Sequence, residues 1–416
     1  MLWVIGAVQF INILDFMMVA PLGPDFARAL GIPLSQIGYV FGSYTAAAAV
    51  AGLAGSFFLD RFDRKKALLV ALGGLVIGTA LGGLATGLYS LMAARLLAGA
   101  FGGPATSLAM SIVADVVPVE RRGKAMGAVM SAFSVASVLG VPAGLKLALW
   151  GGWRLPFFAV AGAGIVIAVC AAWLLPPLRH HLDEARRGSP ATFSRLASRT
   201  EVLLSWGMTA LVMSAGFIVI PNLSTHVQSN LGFPREHLGM LYLVGGLGSL
   251  LILRVGGWLV DRFGAFATGT VAAALMEIAL FIGFVRYVPH IPVLLLFPFF
   301  MLTLALRNVA YNTLTSKVPQ SPERARFTSI QSAVQHLASA AGAFASTQML
   351  SVLPDGTVAG MDRIALVSMI LTALLPLLMR SVERRVARRT TAARSVIPPH
   401  EVQSGITPGS GPDASR

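Results

Sequence analysis

Asp15 is the residue of this sequence whose type and place most clearly suggest chemistry. It lies within the apolar stretch Val8–Met18, and no other charged side chain precedes Asp25. A carboxylate at the centre of a bilayer costs about 2.5–3.5 kcal/mol on insertion scales, and such residues usually face a cavity or a proton path. We therefore predict that Asp15 takes up and releases a proton. The alternatives are a structural hydrogen bond, an ion pair or a place near the outer mouth.

Arg95 is the natural partner for that carboxylate. It lies about one and a half helical turns inside an apolar stretch that begins near residue 90. It could pair with ionised Asp15 and so respond to its protonation, and we predict these two as the proton-coupling residues. The alternative places the Arg95 guanidinium among the lipid headgroups, where long cationic side chains often extend. For Lys146, which is nearer the end of its apolar stretch, the headgroup position is favoured.

The second half of the chain has its own charges within apolar stretches, at Arg254, Glu277 and Arg307. Neither Glu277 nor Arg307 would be stable alone near the middle of a bilayer, so we predict a buried ion pair between them. A substrate-binding role for Arg307 is the alternative. His336 could bind a proton or a substrate, but a hydrogen bond between helices is favoured.

The composition places these charges in a membrane protein. Of the 416 residues 55% are hydrophobic and 12% are charged, whereas a soluble protein has about 25% charged residues. The 43 glycines suit helices that pack closely in lipid. The net charge of +14 falls between apolar stretches and in the C-terminal tail, not on one face with stacking aromatic residues, which argues against nucleic-acid binding. The single cysteine, Cys170, provides no disulfide framework.

Apolar runs of about 20 residues cross a bilayer as helices. Their continuity differs from the alternating pattern of a membrane β-barrel. The twelve predicted spans are 2–23, 37–59, 67–88, 90–113, 125–149, 154–175, 201–223, 237–259, 266–288, 291–315, 327–350 and 362–382. We therefore expect an all-α membrane protein with twelve transmembrane helices in two pseudo-symmetric six-helix bundles.

These spans divide the chain into four regions. We predict an N-terminal six-helix bundle over residues 1–175, a cytoplasmic linker over 176–200, a C-terminal six-helix bundle over 201–382 and a disordered basic tail over 383–416. Most loop Lys and Arg residues lie on one side of the spans, which places both termini and the linker in the cytoplasm. No small-residue cleavage site follows the first apolar run, so it is predicted to be a span rather than a signal peptide.

The two halves of the chain repeat one another. The tripeptide Asp-Arg-Phe ends an apolar run at residues 60–62 and again at 261–263, which is 201 residues later. Val117-Pro118 returns at the same distance as Val318-Pro319. Matches at one spacing indicate a duplicated unit, and duplicated apolar chains are typical of membrane transporters.

The repeated segments resemble the cytoplasmic loop signature of the major facilitator superfamily, Gly-x-Leu-Ala-Asp-Arg-x-Gly-Arg-Lys, which occurs once in each half. The first copy has Ser56 and Asp63 at the two glycine positions, and the second copy lacks the trailing basic pair. Residues 115–125 are similar to the loop between the fourth and fifth helices of that superfamily. The stretch 91–99 resembles its fourth-helix motif, with Ala98 where Gln is usual.

The fifth predicted span resembles that of drug-efflux and sugar-efflux members. Residues 140–144 read Gly-Val-Pro-Ala-Gly and are followed by Gly-Trp-Arg at 152–154. Antiporters usually have Gly-Pro without an intervening residue, so Val141 is a departure from their pattern.

The resemblance implies the major facilitator fold and three sets of functional residues. The predicted cytoplasmic gate consists of Asp60, Arg61, Arg64, Asp115, Arg121, Arg122, Asp261 and Arg262. For Arg64 the alternative, a cation that only keeps its loop in the cytoplasm, is favoured. The predicted helix-bend motif consists of Gly140, Pro142 and Gly144. The substrate cavity is expected near the membrane midplane between the halves. Its candidate residues are Asn12, Asp15, Tyr44, Thr106, Met213, Phe217, Arg307, Asn308, Tyr311 and Asn312.

Together these features predict a secondary active transporter of the bacterial inner membrane that exports small drug-like or sugar-like molecules by alternating access. The proton gradient is the expected energy source, with no cofactor and no metal, and a monomer in contact with substrate, protons and lipid is expected. The alternatives are a proton-coupled importer or facilitator on the same fold and a transport-inactive membrane sensor. An enzyme is not expected, because the sequence contains neither His-Glu-x-x-His nor Gly-x-Ser-x-Gly.

Overall fold

The structure is a computed structural model and consists almost wholly of helices. It describes residues 1–178, 196, 198–287, 290–320 and 324–395. Side chains are described for all of these except residues 56–58, 60, 119–120, 122–124, 325 and 390–395.

The described chain forms twelve helical spans, numbered here in chain order. They are span 1, Leu2–Met17 and Val19–Leu30; span 2, Ile37–Phe58; span 3, Arg64–Gly83; span 4, Leu88–Val116; span 5, Val119–Met130, Ala132–Val135 and Val141–Gly151; span 6, Arg154–Leu174; span 7, Thr200–Phe217 and Leu223–Thr225; span 8, Leu238–Phe263; span 9, Ala265–Leu280; span 10, Val293–Ser316; span 11, Arg324–Met349; and span 12, Met361–Ser395. Spans 2 to 10 and span 12 are each long and apolar enough to cross a membrane, and span 1 meets that criterion when its two helices are taken together. Span 11 has 26 residues and is more polar. The predicted all-α fold is confirmed.

Shorter elements lie between and within these helices. Turns of 3-10 helix are Leu34–Gln36, Leu59–Arg61, Ile220–Asn222 and Arg235–His237, and π-helical segments are Ala136–Gly140, His226–Asn230 and Phe281–Val285. Two antiparallel strands, Ser351–Val352 and Val358–Ala359, form a hairpin between spans 11 and 12. The sequence analysis predicted none of these.

Span 1 is bent by 46° at Met18, between its two helices. The cause is Pro21, which has no N–H to donate to the carbonyl oxygen of Met17 and whose ring would clash with it. The first span therefore continues to Leu30, beyond its predicted end at residue 23. Asp15 lies in the last turn before this bend.

Span 5 departs from α-helical geometry where the helix-bend motif was predicted. The π-helical segment Ala136–Gly140 ends two residues before Pro142, which cannot donate a backbone hydrogen bond. Gly140 allows span 1 to approach, because an added Cβ would lie 2.6 Å from Leu14 Cδ1. Gly144 has open space at its Cβ position, so close packing does not explain that glycine.

The loops that the structure describes lie at the ends of the spans. We call the end that carries Met1 and Ser395 the terminus side, and the opposite end, with the turns at Gly31, Gly152 and Gly232, the far side. Spans 1 to 6 form the N half of the molecule and spans 7 to 12 the C half.

The two halves contact each other closely near the far side. An ideal Cβ on Gly38 of span 2 would lie 2.3 Å from the carbonyl oxygen of Ala343 in span 11, and one on Gly42 would lie 2.4 Å from the Phe344 ring. At Gly38 the two backbones are in direct contact, and at Gly42 a side-chain ring of span 11 lies against the backbone of span 2, which only glycine permits at such distances. The far side is closed in this conformation.

Span 12 continues well beyond the membrane-length part of its helix. Its terminus-side extension is attached to the bundle, because Glu383 Oε1 accepts from the Phe266 backbone N–H at 3.2 Å and Arg389 Nη1 donates to the Val318 carbonyl oxygen at 2.9 Å. The predicted disorder from residue 383 is therefore wrong as far as Ser395, since Arg and Glu are good helix formers. The remainder of the tail, residues 396–416, and most of the predicted linker, residues 179–195 and 197, lie outside the described residues.

Candidate functional site

The structure brings Asp15 and Arg95 together inside the N half. Arg95 Nη1 donates to Asp15 Oδ1 at 2.9 Å, and Arg95 Nη2 donates to the Asp15 carbonyl oxygen at 3.3 Å. The Arg95 side chain is 1% exposed and the Asp15 side chain 0%. This burial excludes the alternative in which Arg95 extends to the headgroups. A buried pair loses the hydration of both charges, so each partner depends strongly on the other.

Two further side chains surround the ion pair. Thr79 Oγ1 lies 2.7 Å from Asp15 Oδ1 and 2.8 Å from the Leu75 carbonyl oxygen. The Arg95 guanidinium lies 4.6 Å from the centre of the Tyr44 ring, which is a favourable cation–π geometry. Asp15 Oδ2 is buried and has no hydrogen-bond partner among the described residues. Asp15 Oδ2 is therefore the carboxylate oxygen that the described hydrogen bonds leave unused.

Tyr44 links the ion pair to a second polar group. Tyr44 Oη donates to Asn12 Oδ1 at 2.8 Å, and Asn12 Nδ2 donates to Thr106 Oγ1 at 2.6 Å and to the Gly102 carbonyl oxygen at 2.8 Å. Asn12 and Tyr44 are both buried. Three predicted cavity residues thus form one network with the predicted coupling pair, across spans 1, 2 and 4.

Glycines of span 4 make room for this network. An ideal Cβ on Gly99 would lie 2.1 Å from the Tyr44 carbonyl oxygen, and one on Gly102 would lie 2.2 Å from Tyr44 Oη. Spans 2 and 4 therefore approach at a distance that admits no side chain at these two positions. This contact fixes the Tyr44 ring between Arg95 and Asn12.

An aromatic cluster joins this network to the C half. Phe16 lies next to Asp15, and its ring centre is 4.8 Å from that of Phe41, 5.3 Å from that of Tyr44 and 6.1 Å from that of Phe217 in span 7. Phe41 and Phe217 are 5.6 Å apart. Tyr44 and Phe217 were predicted to line the cavity, whereas Phe16, Phe41 and Thr79 were not. The spacing of Phe16 and Phe217, one position beyond Asp15 and Gly216 in the repeat, could have indicated this contact.

The predicted ion pair between Glu277 and Arg307 is wrong. Arg307 Nη2 donates instead to the Val212 carbonyl oxygen of span 7 at 3.2 Å. Glu277 is half-buried on span 9, and its Oε1 has no hydrogen-bond partner among the described residues. Residues near mid-span in sequence can occupy different faces of adjacent helices, and the side-chain direction decides whether they meet.

The remaining candidates of the C half are not part of the N-half network. Met213 and Tyr311 are buried in a core cluster between spans 7, 10 and 12. Asn308 is half-buried and Asn312 is exposed. His336 Nδ1 lies 2.9 Å from the Ser332 carbonyl oxygen of its own helix, rather than bonding between helices as predicted. Lys146 is exposed, which is compatible with its predicted headgroup position.

Part of the predicted gate has defined contacts on the terminus side. Arg64 Nε lies 2.8 Å from Asp115 Oδ2, so this ion pair joins the first residue of span 3 to the last turn of span 4. Asp63, which was not predicted as a gate residue, caps span 3 by accepting from the Lys65 backbone N–H at 2.9 Å. Of the other gate candidates, Arg61, Arg121, Asp261 and Arg262 are exposed, and the side chains of Asp60 and Arg122 lie outside the described part.

A second ion pair, which sequence reasoning missed, joins the two halves on the far side. Arg235 Nε lies 2.8 Å from both carboxylate oxygens of Asp25, and Arg235 Nη2 also donates to Oδ2. Each side chain is 17% exposed. Asp25 is the one acidic residue between Asp15 and Asp60, and this isolation was a usable signal. The bidentate geometry makes the pair stronger than a typical surface contact.

Replacing Arg235 by Gln is expected to open the far side more often. Losing a hydrogen bond to a charged group costs about 1.5–3 kcal/mol. If the closed state loses this much free energy, the ratio of open to closed molecules rises roughly 10- to 100-fold. The measurement is the labelling rate of Ser346→Cys by a membrane-impermeant maleimide, in a Cys170→Ser background. Ser346, a residue of span 11, is fully buried where span 2 packs against that helix.

The control is Arg363→Gln, which changes an exposed far-side cation and should leave the labelling rate unchanged. An equal rate in Arg235→Gln and the parent would show that the pair does not hold this side closed.

Comparison with known proteins identifies the family. The sequence model of the Major Facilitator Superfamily matches residues 5–343. The chain belongs to the major facilitator superfamily. This superfamily consists of membrane transporters, and the spans described above agree with its integral, multi-pass architecture.

Among similar sequences are bacterial members of this superfamily. An uncharacterized MFS-type transporter of Mycobacterium tuberculosis is 34% identical over 180 residues, which are 43% of this chain and 31% of the relative. An uncharacterized MFS-type transporter of Bacillus subtilis is 26% identical over 62% of this chain and 63% of its own length. A chloramphenicol resistance protein of Streptomyces lividans is 28% identical over 59% of this chain and 62% of its own length. The chain thus spans less than two thirds of each of these relatives.

Solved structures of the same fold cover nearly the whole chain. A bacterial homologue of the human lysosomal transporter Spinster, in an inward-facing and occupied conformation, has a TM-score of 0.73 at 16% identity and covers 92% of this chain and 96% of its own. A D-xylose–proton symporter has a TM-score of 0.74 at 17% identity, with 91% and 96% covered. At these identities the likeness concerns the fold alone.

Proposed function

We propose that this member of the superfamily is a proton-coupled exporter of small organic molecules, with Asp15 as the proton-binding residue. The observation that carries the proposal is the buried pair of Asp15 with Arg95, in which Asp15 Oδ2 has no hydrogen-bond partner among the described residues. When Asp15 is ionised, Arg95 is held by it. When Asp15 is protonated, the charge that holds Arg95 disappears, and Arg95 can move relative to the Tyr44 ring that it contacts.

The network connects the proposed proton-binding residue to the interface between the two halves, where the substrate is expected to bind. Tyr44 lies against Arg95 and donates to Asn12, and Phe16 follows Asp15 in the chain and contacts Phe217 of the C half. A shift of Arg95 therefore acts on the side chains at the interface of the halves. In the proposed cycle, protonation favours one arrangement of the halves and deprotonation the other.

The proposed orientation places the far side outside the cell. Lys and Arg concentrate in the loops and tail of the terminus side, and the positive-inside rule assigns such loops to the cytoplasm. In this orientation the closed far side corresponds to an inward-facing state, in the plasma membrane of a bacterium. The proton gradient supplies the energy, and one chain is the proposed transport unit.

The test is substrate-driven proton movement in inverted membrane vesicles acidified by respiration. At least one compound from a panel of antibiotics, dyes, sugars and aromatic carboxylates is expected to release protons from the lumen of vesicles with the wild type. Asp15→Asn keeps the shape of the side chain but cannot release a proton, so its signal should be lost. Arg254→Gln removes an exposed cation of span 8 and should behave as wild type.

Two outcomes would contradict the proposal. Equal signals in wild type and Asp15→Asn would remove Asp15 from coupling. Proton release that requires substrate inside the lumen, rather than outside, would indicate a proton-coupled importer on the same fold.

A further inference from the structure

Arg307 is a buried cation for which the described residues provide no anion. Its side chain is 1% exposed, and one of its nitrogens, Nη2, donates to the Val212 carbonyl oxygen at 3.2 Å. Its Nε and Nη1 atoms are buried and have no hydrogen-bond partner among the described residues. Buried charges in proteins are normally paired, because an isolated charge loses its hydration without compensation. Arg307 thus has hydrogen-bond donors, Nε and Nη1, for which the described residues provide no acceptor.

The internal repeat shows which group is missing. The residues that follow Asn12, Asp15 and Thr106 by 201 positions are Met213, Gly216 and Arg307. In the N half the carboxylate of Asp15 on span 1 meets an arginine of span 4. In the C half an arginine of span 10 faces span 7, where the position that matches Asp15 is a glycine. An ideal Cβ on Gly216 would lie 3.4 Å from Arg307 Nη2, so a side chain there would point at the guanidinium.

The guanidinium lies beside the contact between the halves. Gly216 is followed by Phe217, whose ring contacts Phe16 and Phe41 of the N half. Asn308 follows Arg307, and its Oδ1 is also buried without a hydrogen-bond partner among the described residues. Spans 7 and 10 therefore place an aromatic ring of the interface and two polar side chains with unused hydrogen-bonding atoms at neighbouring positions, Phe217 beside Gly216 and Asn308 beside Arg307. This combination suits a ligand with an apolar body and one charged end.

We infer that Arg307 anchors an anionic group, a carboxylate or comparable oxyanion, on a small aromatic or amphipathic substrate. The inference rests on the proposed function and narrows its substrate class. The two free nitrogens, Nε and Nη1, provide the charge-assisted hydrogen bonds, and a guanidinium binds a planar carboxylate better than a single ammonium does. The substrate carboxylate takes the role in the C half that the Asp15 carboxylate has in the N half.

The test uses the purified full-length protein in detergent and two probes of equal shape, 1-naphthoate and its neutral amide, 1-naphthamide. Binding is measured from the rise in melting temperature with probe concentration. For the wild type we expect naphthoate to bind at least about tenfold more tightly than naphthamide, as a charge-assisted hydrogen bond allows. Arg307→Gln should bind both probes equally, and Arg254→Gln should keep the preference for naphthoate.

Gly216→Asp provides a second test that does not remove the arginine. The new carboxylate should pair with Arg307 and abolish naphthoate binding, while the melting temperature without probe stays equal to or above that of wild type. Gly216→Ala, which adds only a methyl group in ordinary contact distance, should still prefer naphthoate. If Arg307→Gln does not fold, the inference can still be tested with Gly216→Asp, which keeps the arginine.

The preference for naphthoate is measured without a proton gradient, and it is repeated in Asp15→Asn. A preference that persists in Asp15→Asn, together with equal proton signals in vesicles, would refute the coupling proposal but not the anion anchor. A wild type that binds naphthoate no better than naphthamide, or an Arg307→Gln protein that keeps the preference, would overturn the anchor itself.

Discussion

Arg95→Met is expected to destabilise the protein strongly and to abolish coupled transport. The substitution leaves the Asp15 carboxylate fully buried with Thr79 as its one remaining side-chain partner among the described residues. Removing one partner of a buried ion pair costs about 3–5 kcal/mol, because the other charge is left without compensation. The methionine also gives up the cation–π contact with Tyr44. Thermal unfolding of the purified protein measures the effect on stability.

The double variant Asp15→Leu/Arg95→Met separates stability from function. Replacing both charges by apolar groups of similar size is often neutral for stability, so the double variant should regain most of the melting temperature lost in Arg95→Met. It should remain without substrate-driven proton release, because no titratable group is left at this site. Arg254→Gln is the control for loss of a cation within a span, and its exposed position predicts wild-type stability.

A double variant as unstable as Arg95→Met would contradict this account of the pair. It would mean that the geometry of the guanidinium, rather than the balance of charges, holds spans 1 and 4 together. Proton release by the double variant would place coupling elsewhere in the molecule.

Gly99→Val should separate spans 2 and 4 and reduce the free energy of unfolding by about 3 kcal/mol or more, as severe overpacking does. An ideal Cβ at this position would lie 2.1 Å from the Tyr44 carbonyl oxygen and 2.8 Å from its carbonyl carbon. Both are backbone atoms, so no side-chain rotation relieves the clash. The displaced Tyr44 would lose its place between Arg95 and Asn12, and transport should decrease as well.

Gly73→Val in span 3 is the matched control for Gly99→Val. Its Cβ position has open space, with no other atom within 4 Å, so the change in melting temperature should be small. A Gly99→Val protein as stable as Gly73→Val would show that spans 2 and 4 can repack without cost. The close approach of the two backbones would then not be what positions Tyr44.

The far-side contacts suggest how the two halves could move relative to each other. Asp25 and Arg235 join the halves through an ion pair, whereas Gly38 and Gly42 of span 2 pack closely against the backbone and a phenylalanine ring of span 11. Tyr39 of span 2 also contacts side chains of span 11. Opening of the far side therefore requires that the ion pair break and that spans 2 and 11 separate.

The sequence by itself determined the fold class and the location of most spans. Long apolar runs leave no alternative to helices in lipid, since every backbone polar group must be satisfied within its own segment. The repeat at 201 residues predicted two related halves, and the isolation of Asp15 and Arg95 in apolar stretches predicted two residues that proved to be in contact. These conclusions rest on periodicity and on the cost of burying charge, both of which are readable along the chain.

Only the tertiary structure decided which polar groups meet. Arg95 reaches Asp15, whereas Arg307, which is equally buried, does not pair with Glu277. The spacing of residues along separate helices does not give their relative rotation, and rotation decides the face on which a side chain lies. The ion pair of Asp25 with Arg235 likewise depends on a contact between segments 210 residues apart. The bend of span 1 depends on the local geometry at one proline. In the N half a carboxylate lies next to an arginine, and in the C half a glycine does. This difference can be recognised only when the relative positions of the helices are known.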